Sequence, residues 1–322
     1  MTLDAGAPVV VVTGASSGIG RATARLLAAD GARLVLASRS AEALAEAGAE
    51  CEAAGAAVLV TPTDVRRAPA VEALLDAAVA RFGRVDAVVH AAAVLAYGRF
   101  EDVPADVFDE VQNTNITGTA NVARSALRVF REQGGGRLVV LGSVIGKVAA
   151  PYMGPYTTSK WAIHGLVRVL QIEARRTPGV QVTLVSPGGV NTPIYTLAGN
   201  YAGRVGRPPP PVDPPEKVAR AIVRALDRPR REVSVGLANP LMVTGFRFLP
   251  GLFDAIVTPL MSRGALSRDR IGPHPGNVWE PQGRGEAVHG RWGRHWLRGV
   301  LAAGAAAVPA GVLASRSRRR PG

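Results

Sequence analysis

Val9-Val10-Val11-Val12-Thr13-Gly14-Ala15-Ser16-Ser17-Gly18-Ile19-Gly20 is a β-branched run that breaks into glycine. Pro8–Thr13 reads as a short buried strand, and the alanine-rich stretch from Arg21 to Ala29, closed by Asp30-Gly31, reads as a helix. Strand, glycine-rich turn and helix in that order make a seat for phosphate. The glycines let the backbone approach a pyrophosphate, and the helix start offers free N–H groups at the positive end of its dipole. The spacing is Gly-x-x-x-Gly-x-Gly, not the commoner Gly-x-Gly-x-x-Gly. A plain turn between a buried strand and a helix is the alternative. The flanking elements favour phosphate binding by Gly14, Ser16, Ser17, Gly18, Ile19 and Gly20.

Outward from this stretch the alternation continues. Strands are expected at Arg33–Ala37, Ala57–Thr61, Val85–His90, Arg137–Leu141, Val180–Val185 and Glu232–Val235. Helices are expected at Ala41–Ala54, Ala68–Phe82, Pro104–Glu132, Pro155–Arg176 and Glu216–Leu226. Alternating βα units predict an α/β, Rossmann-like, doubly wound parallel sheet flanked by helices on both faces, plus a C-terminal extension. The 47% hydrophobic content is ample for such a core, but aromatics supply only 5%, so alanine, valine and leucine must do the packing.

Composition narrows the class. Cys51 is the only cysteine, which excludes an intramolecular disulfide and a cysteine-based metal site, and a reducing cytoplasm fits. Val9–Val12 is too short to be the apolar core of a signal peptide, so a cytoplasmic protein is expected. The formal charge of +13 is uneven, because eleven arginines from Arg263 onward face only Asp269, Glu280 and Glu286. The basic character therefore belongs mostly to the tail, and no recognised nucleic-acid module accompanies it.

Within the helix expected at Pro155–Arg176 lies Tyr156-Thr-Thr-Ser-Lys160. Residues four apart share a helix face, so a phenol and an ammonium can approach one point. A free tyrosine titrates near a pKa of roughly 10, and a fixed ammonium nearby favours the phenolate. With Thr13–Gly20, Asp64 after the third strand, Asn115, Ser143 thirteen residues before Tyr156, and Pro187-Gly188 after the sixth strand, the chain resembles the short-chain dehydrogenase/reductase family over approximately residues 8–236.

The resemblance implies a nicotinamide-dependent oxidoreductase. It assigns Tyr156 as the acid/base, Lys160 to lower the tyrosine pKa and hold the nicotinamide ribose, Ser143 to stabilise the substrate oxygen, and Asn115 to a proton relay. Asp64 and Val65 would meet the adenine, Ala91 would lie beside the cofactor, and Pro187, Gly188, Val190 and Thr192 would hold the nicotinamide end. Cofactor choice is expected to be NADP(H) over NAD(H). No acid stands at Ala37, Ser38 or Arg39, and the Arg39 guanidinium can grip a 2′-phosphate. One departure is His90-Ala91-Ala92-Ala93, where the family usually has Asn-Asn-Ala-Gly. It is expected to alter local geometry rather than activity, with His90 a core-edge histidine and not a ligand.

Pro193 to Pro215 reads as an irregular substrate lid, and Tyr152, Met153, Ile194, Tyr195 and Leu197 suggest an apolar ketone or alcohol as substrate. Residues 1–236 are expected to form the catalytic domain and 237–322 an extension. Within that extension, Leu237–Met261 is apolar, suited to a lid, a subunit interface or a bilayer surface, and 262–322 is an irregular basic tail. Gly299–Ala314 is uncharged but short, interrupted by Pro309 and followed by Arg316, which favours surface association over a span of about 20 residues. Family precedent favours a homo-oligomer. The competing functions are an epimerase or dehydratase on the same fold, or a non-catalytic dinucleotide sensor.

Overall fold

The computed structural model describes residues 6–282 and 285–293. The first five residues, Gly299–Ala314 and the arginines from Arg316 lie outside the described residues, so the expectations placed on them have no structural counterpart here.

The valine-rich runs form β1 (Val9–Thr13), β2 (Arg33–Ser38), β3 (Val58–Pro62), β4 (Ala87–His90), β5 (Gly136–Leu141), β6 (Val180–Pro187) and β7 (Glu232–Val235). They make one seven-stranded parallel sheet in the order β7-β6-β5-β4-β1-β2-β3. Its helices include α1 (Gly18–Ala29), α2 (Ala41–Ala53) and α3 (Ala68–Phe82). The period-two alternation of a strand sends neighbouring residues to opposite layers. Val10, Val12, Leu34 and Leu36 pack with Leu27 and Leu44 on one face. Val11, Val35 and Val88 pack with Leu74, Leu75 and Phe130 on the other. A sheet buried on both sides needs such continuous apolar strands. Strand order reverses between β1 and β4, which opens a crevice at their carboxyl ends.

The helix expected over Pro104–Glu132 is interrupted. It comprises α4 (Ala105–Gln112), a wide π turn at Asn113–Thr117, and α5 (Gly118–Gln133). The π turn carries Asn115, and such turns recur at functional sites. The helix bearing Tyr156 and Lys160 is α6 (Gly154–Ala174), and α7 (Pro215–Asp227) packs on α1.

Two further expectations are corrected. The lid expected to lack elements holds a helical turn at Ile194–Leu197 and three short strands, one of which, Arg204–Gly206, pairs antiparallel with Leu266–Arg270. The tail from residue 262 is therefore not irregular at its start. The open edge of the lid strand supplies the ladder partners that the tail sequence does not advertise. Between these, Leu237–Met261 forms α8 (Asn239–Phe248) and α9 (Pro250–Leu260). Val257 and Met261 are buried against Leu95 and Met153, while Leu241, Phe248, Leu249, Leu252 and Ile256 stay exposed. Among the described residues no helix is long and apolar enough to cross a membrane.

Candidate active site

The turn after β1 is shaped by its glycines. Gly14 has φ +70°, and a Cβ there would lie 2.7 Å from the Ala92 nitrogen. A Cβ on Gly20 would overlap the Gly14 carbonyl. Within α1 the first amide to bond back along the chain is Arg21, to the Ser17 carbonyl at 3.1 Å. Ile19 and Gly20 thus begin a helix without internal acceptors, and both line the crevice with Gly14, Ser16, Ser17 and Gly18. That donor set fits a diphosphate.

His90 replaces the expected amide by a different bridge. Its Nδ1 lies 2.8 Å from Thr13 Oγ1 and its Nε2 3.0 Å from Thr119 Oγ1, joining β1, β4 and α5. Burial first, then the Lys160 charge, push its pKa down to about 3, which keeps the ring neutral. His90 is a core histidine, as its sequence context suggested. The same network reaches Asn115, because the Thr119 hydroxyl donates to the Asn115 carbonyl at 2.6 Å. Asn115 is fully buried. Its side chain accepts from the Val94 N–H and donates to the Val94 carbonyl and Ser159 Oγ, each at 2.9 Å.

Ser143, Tyr156 and Lys160 meet at the carboxyl end of β5. Ser143 and Tyr156 line the same wall; Ser143 Oγ donates to the Pro187 carbonyl at 3.5 Å and accepts from the Ile145 N–H at 3.2 Å. Lys160 is 2% exposed, donates from Nζ to the Leu141 carbonyl at 2.9 Å, and sits 5.4 Å from the Tyr156 ring centre. One expectation is reversed here. The Tyr156 pKa is raised rather than lowered, first by burial and then by Tyr195, with nearby Ser143 opposing. The Lys160 ammonium is turned to the Leu141 carbonyl, so desolvation of the phenolate wins. Burial also pushes the Lys160 pKa down to about 8.

The remaining expected positions ring the same crevice, with one exception. Val65, Ala91, Pro187, Gly188, Val190 and Thr192 line it, and Thr192 approaches the phosphate turn at Gly18. Asp64 does not. Its carboxylate is clamped by Arg66, with Nε 2.8 Å and Nη2 2.6 Å from Oδ2, and Arg66 also pairs with Glu110. The wall there is Thr63 and Val65 instead. Arg39 lines the crevice, but its guanidinium is engaged by backbone carbonyls of the C-terminal extension.

Beyond Tyr156 the crevice opens into an apolar chamber walled by Met153, Ile194, Tyr195, Leu197, Phe253 and Val257. Crevice and chamber form one continuous cavity, running from Gly14 and Gly20 at the phosphate turn to Phe253 and Val257. Tyr152, expected in that chamber, instead packs behind it at φ +67°. Of the readings open for the apolar stretch Leu237–Met261, α9 takes that of a lid on one face, since Phe253 and Val257 wall this cavity.

Residues 8–199 match the family model for short chain dehydrogenases. The chain is 33% identical over 257 residues to the uncharacterized oxidoreductase YxnA of Bacillus subtilis, covering 79% of this chain and 72% of that protein. An alcohol dehydrogenase from the archaeon Thermococcus sibiricus, complexed with 5-hydroxy-NADP, superposes with a TM-score of 0.62 at 32% identity, covering 71% of this chain and 96% of that one. A short chain dehydrogenase/reductase from Burkholderia phymatum in complex with NAD gives a TM-score of 0.71 at 27% identity, covering 84% and 100%.

Proposed function

We propose, from the premise that this chain belongs to the short-chain dehydrogenase family of oxidoreductases, that it interconverts an apolar ketone and its secondary alcohol with NADP(H). The observation that carries this is Tyr156, lining one cavity with Ser143 and the phosphate turn and one helical turn from buried Lys160. When bound, the dinucleotide supplies or takes the hydride. Tyr156 gives its hydroxyl proton to the carbonyl oxygen in reduction and takes it back from the alcohol in oxidation. Ser143 holds that oxygen and stabilises the charge growing on it. Lys160 presents a cation beside the phenol and the ribose end of the cleft, and Asn115 fixes the backbone behind it. The reacting residues lie within 1–236, and 237–322 is an extension whose α9, Asn277, Pro281 and Glu286 help wall the cavity.

Cofactor choice lies with Arg39. It stands at the end of β2, half-buried and facing the crevice, with no carboxylate at residues 37–39 to repel a phosphate. NADPH should exceed NADH in kcat/KM by at least roughly tenfold, about 1.4 kcal/mol, and Arg39→Asp should erase or invert that ratio. Steady-state rates with both dinucleotides on one substrate check it. Equal use of the two by the wild type would contradict the role given to Arg39.

The exposed row Leu241, Phe248, Leu249, Leu252 and Ile256, followed in sequence by an arginine-rich end, gives the protein affinity for an anionic membrane surface. The full chain should pellet with anionic vesicles, and Phe248→Gln with Leu252→Gln should release it. Equal pelleting of both proteins would sink this assignment. Self-association without lipid, abolished by the same pair, would make the row a subunit interface instead.

A further inference from the structure

Residues 271–282 and 285–293 contain no helix or strand among them, yet they touch the dinucleotide crevice at both of its ends and in its middle. At the β2 end the Arg39 guanidinium donates to three successive carbonyls: Asn277 at 2.7 Å from Nη2, and Val278 at 3.2 Å and Trp279 at 3.0 Å from Nη1. In the middle, the Gly18 N–H donates to the Ala287 carbonyl at 2.8 Å. At the far end Asn191 accepts twice, from the Gly290 N–H at 3.1 Å and from the Trp292 N–H at 2.9 Å. The segment is tied to the lid as well, since the Asn277 N–H donates to the Leu197 carbonyl at 2.8 Å. Asn277, Pro281 and Glu286 line the same cavity as Gly14 and Gly20. The strap is a wall of the dinucleotide site, not a cover laid over a finished one.

The chemistry at Arg39 differs from that at its neighbour. Arg66 is paired with two carboxylates, so its charge is spent. Arg39 is held by neutral carbonyl dipoles, which fix the guanidinium plane, while Asp64, Glu280 and Glu110 act on its charge without a direct ion pair. A guanidinium carries five N–H donors in a rigid fork, and the carbonyls use three of them. Long side chains lose rotamer freedom when ordered. Here the strap has already met that cost before an anion arrives.

We propose that the strap is the positioning element of the cofactor-selecting arginine. Docked, the Asn277–Trp279 carbonyls hold Arg39 in the orientation that meets the 2′-phosphate of NADP(H), so preference for the phosphorylated dinucleotide depends on the C-terminal extension as well as on Arg39. The inference rests on the reading of Arg39 given above. It carries a reciprocal consequence: if docking favours NADPH over NADH by some factor, NADPH must favour docking over NADH by the same factor.

Gly276→Val in the full chain is the direct test. Gly276 has φ +59°, and a Cβ there would overlap the backbone of Leu197 and Ala198, so the substitution lifts the strap beside Arg39 without touching Arg39, the phosphate turn or Tyr156. Equilibrium binding, read by reduced-nicotinamide fluorescence, should show NADPH weakened by about tenfold and NADH by much less, collapsing the ratio of the two. In the wild type, hydrogen exchange at the Asn277 amide should slow more with NADPH than with NADH. That measurement stands even if the variant folds poorly. Retention of the wild-type ratio by an undocked strap, or equal protection of Asn277 by both dinucleotides, would overturn the proposal. A wild type with no preference for NADPH would overturn the reading of Arg39 itself, and the proposal with it.

Discussion

Tyr156→Phe should lower kcat by roughly 10²–10⁴-fold or more while leaving dinucleotide binding close to wild type. The ring stays, and with it the packing against the cluster of Val144, Ile145 and Val148. Only the hydroxyl is lost. A phenol raised in pKa by burial stays protonated in the empty site, and proton transfer from it calls for its pKa to fall when the dinucleotide and substrate are bound. Single-turnover rates at saturating substrate, alongside fluorescence titration with NADPH, separate the two effects. A variant retaining more than about half the wild-type single-turnover rate would remove Tyr156 from the chemistry.

Lys160→Met should differ in kind, lowering the rate and weakening dinucleotide binding together. Methionine keeps much of the stem volume in a site where the side chain is only 2% exposed, so the change is chiefly one of charge. The ammonium is held by a single carbonyl, that of Leu141, and burial brings its pKa down to about 8. The sign follows: the charge is present below about pH 8 and is lost as pH rises through it. Wild-type affinity for the dinucleotide should accordingly fall through that range, and the Lys160→Met variant should show no such step. Titrations of both proteins across the range check this. A parallel pH dependence in the two would show that another group is responsible.

How much of this was legible in the sequence depends on how far apart the partners lie. The sheet was legible because each strand is a contiguous valine-rich run and each crossover helix has its own period. The pairing of Tyr156 with Lys160 was legible because one helical turn relates them. The π turn at Asn113–Thr117 was not, since its residues are ordinary for a helix and the widening exists only in register with its neighbours. Asp64 illustrates a different failure. Its position after β3 was correctly located, but Arg66, two residues on, turns its carboxylate away from the cavity wall. The strap was the least legible of all. Its glycines and prolines carry no period, and the bonds that order it reach back 239 residues to Arg39 and 101 to Asn191.

The most direct test of the account is to supply NADPH deuterated at the transferring position of nicotinamide C4, with a panel of apolar ketones, and to weigh the products. Hydride transfer with Tyr156 as proton donor requires one deuterium on the carbinol carbon and an unlabelled hydroxyl proton drawn from solvent. An epimerised or dehydrated product without net nicotinamide oxidation, or an alcohol free of deuterium at that carbon, would contradict it.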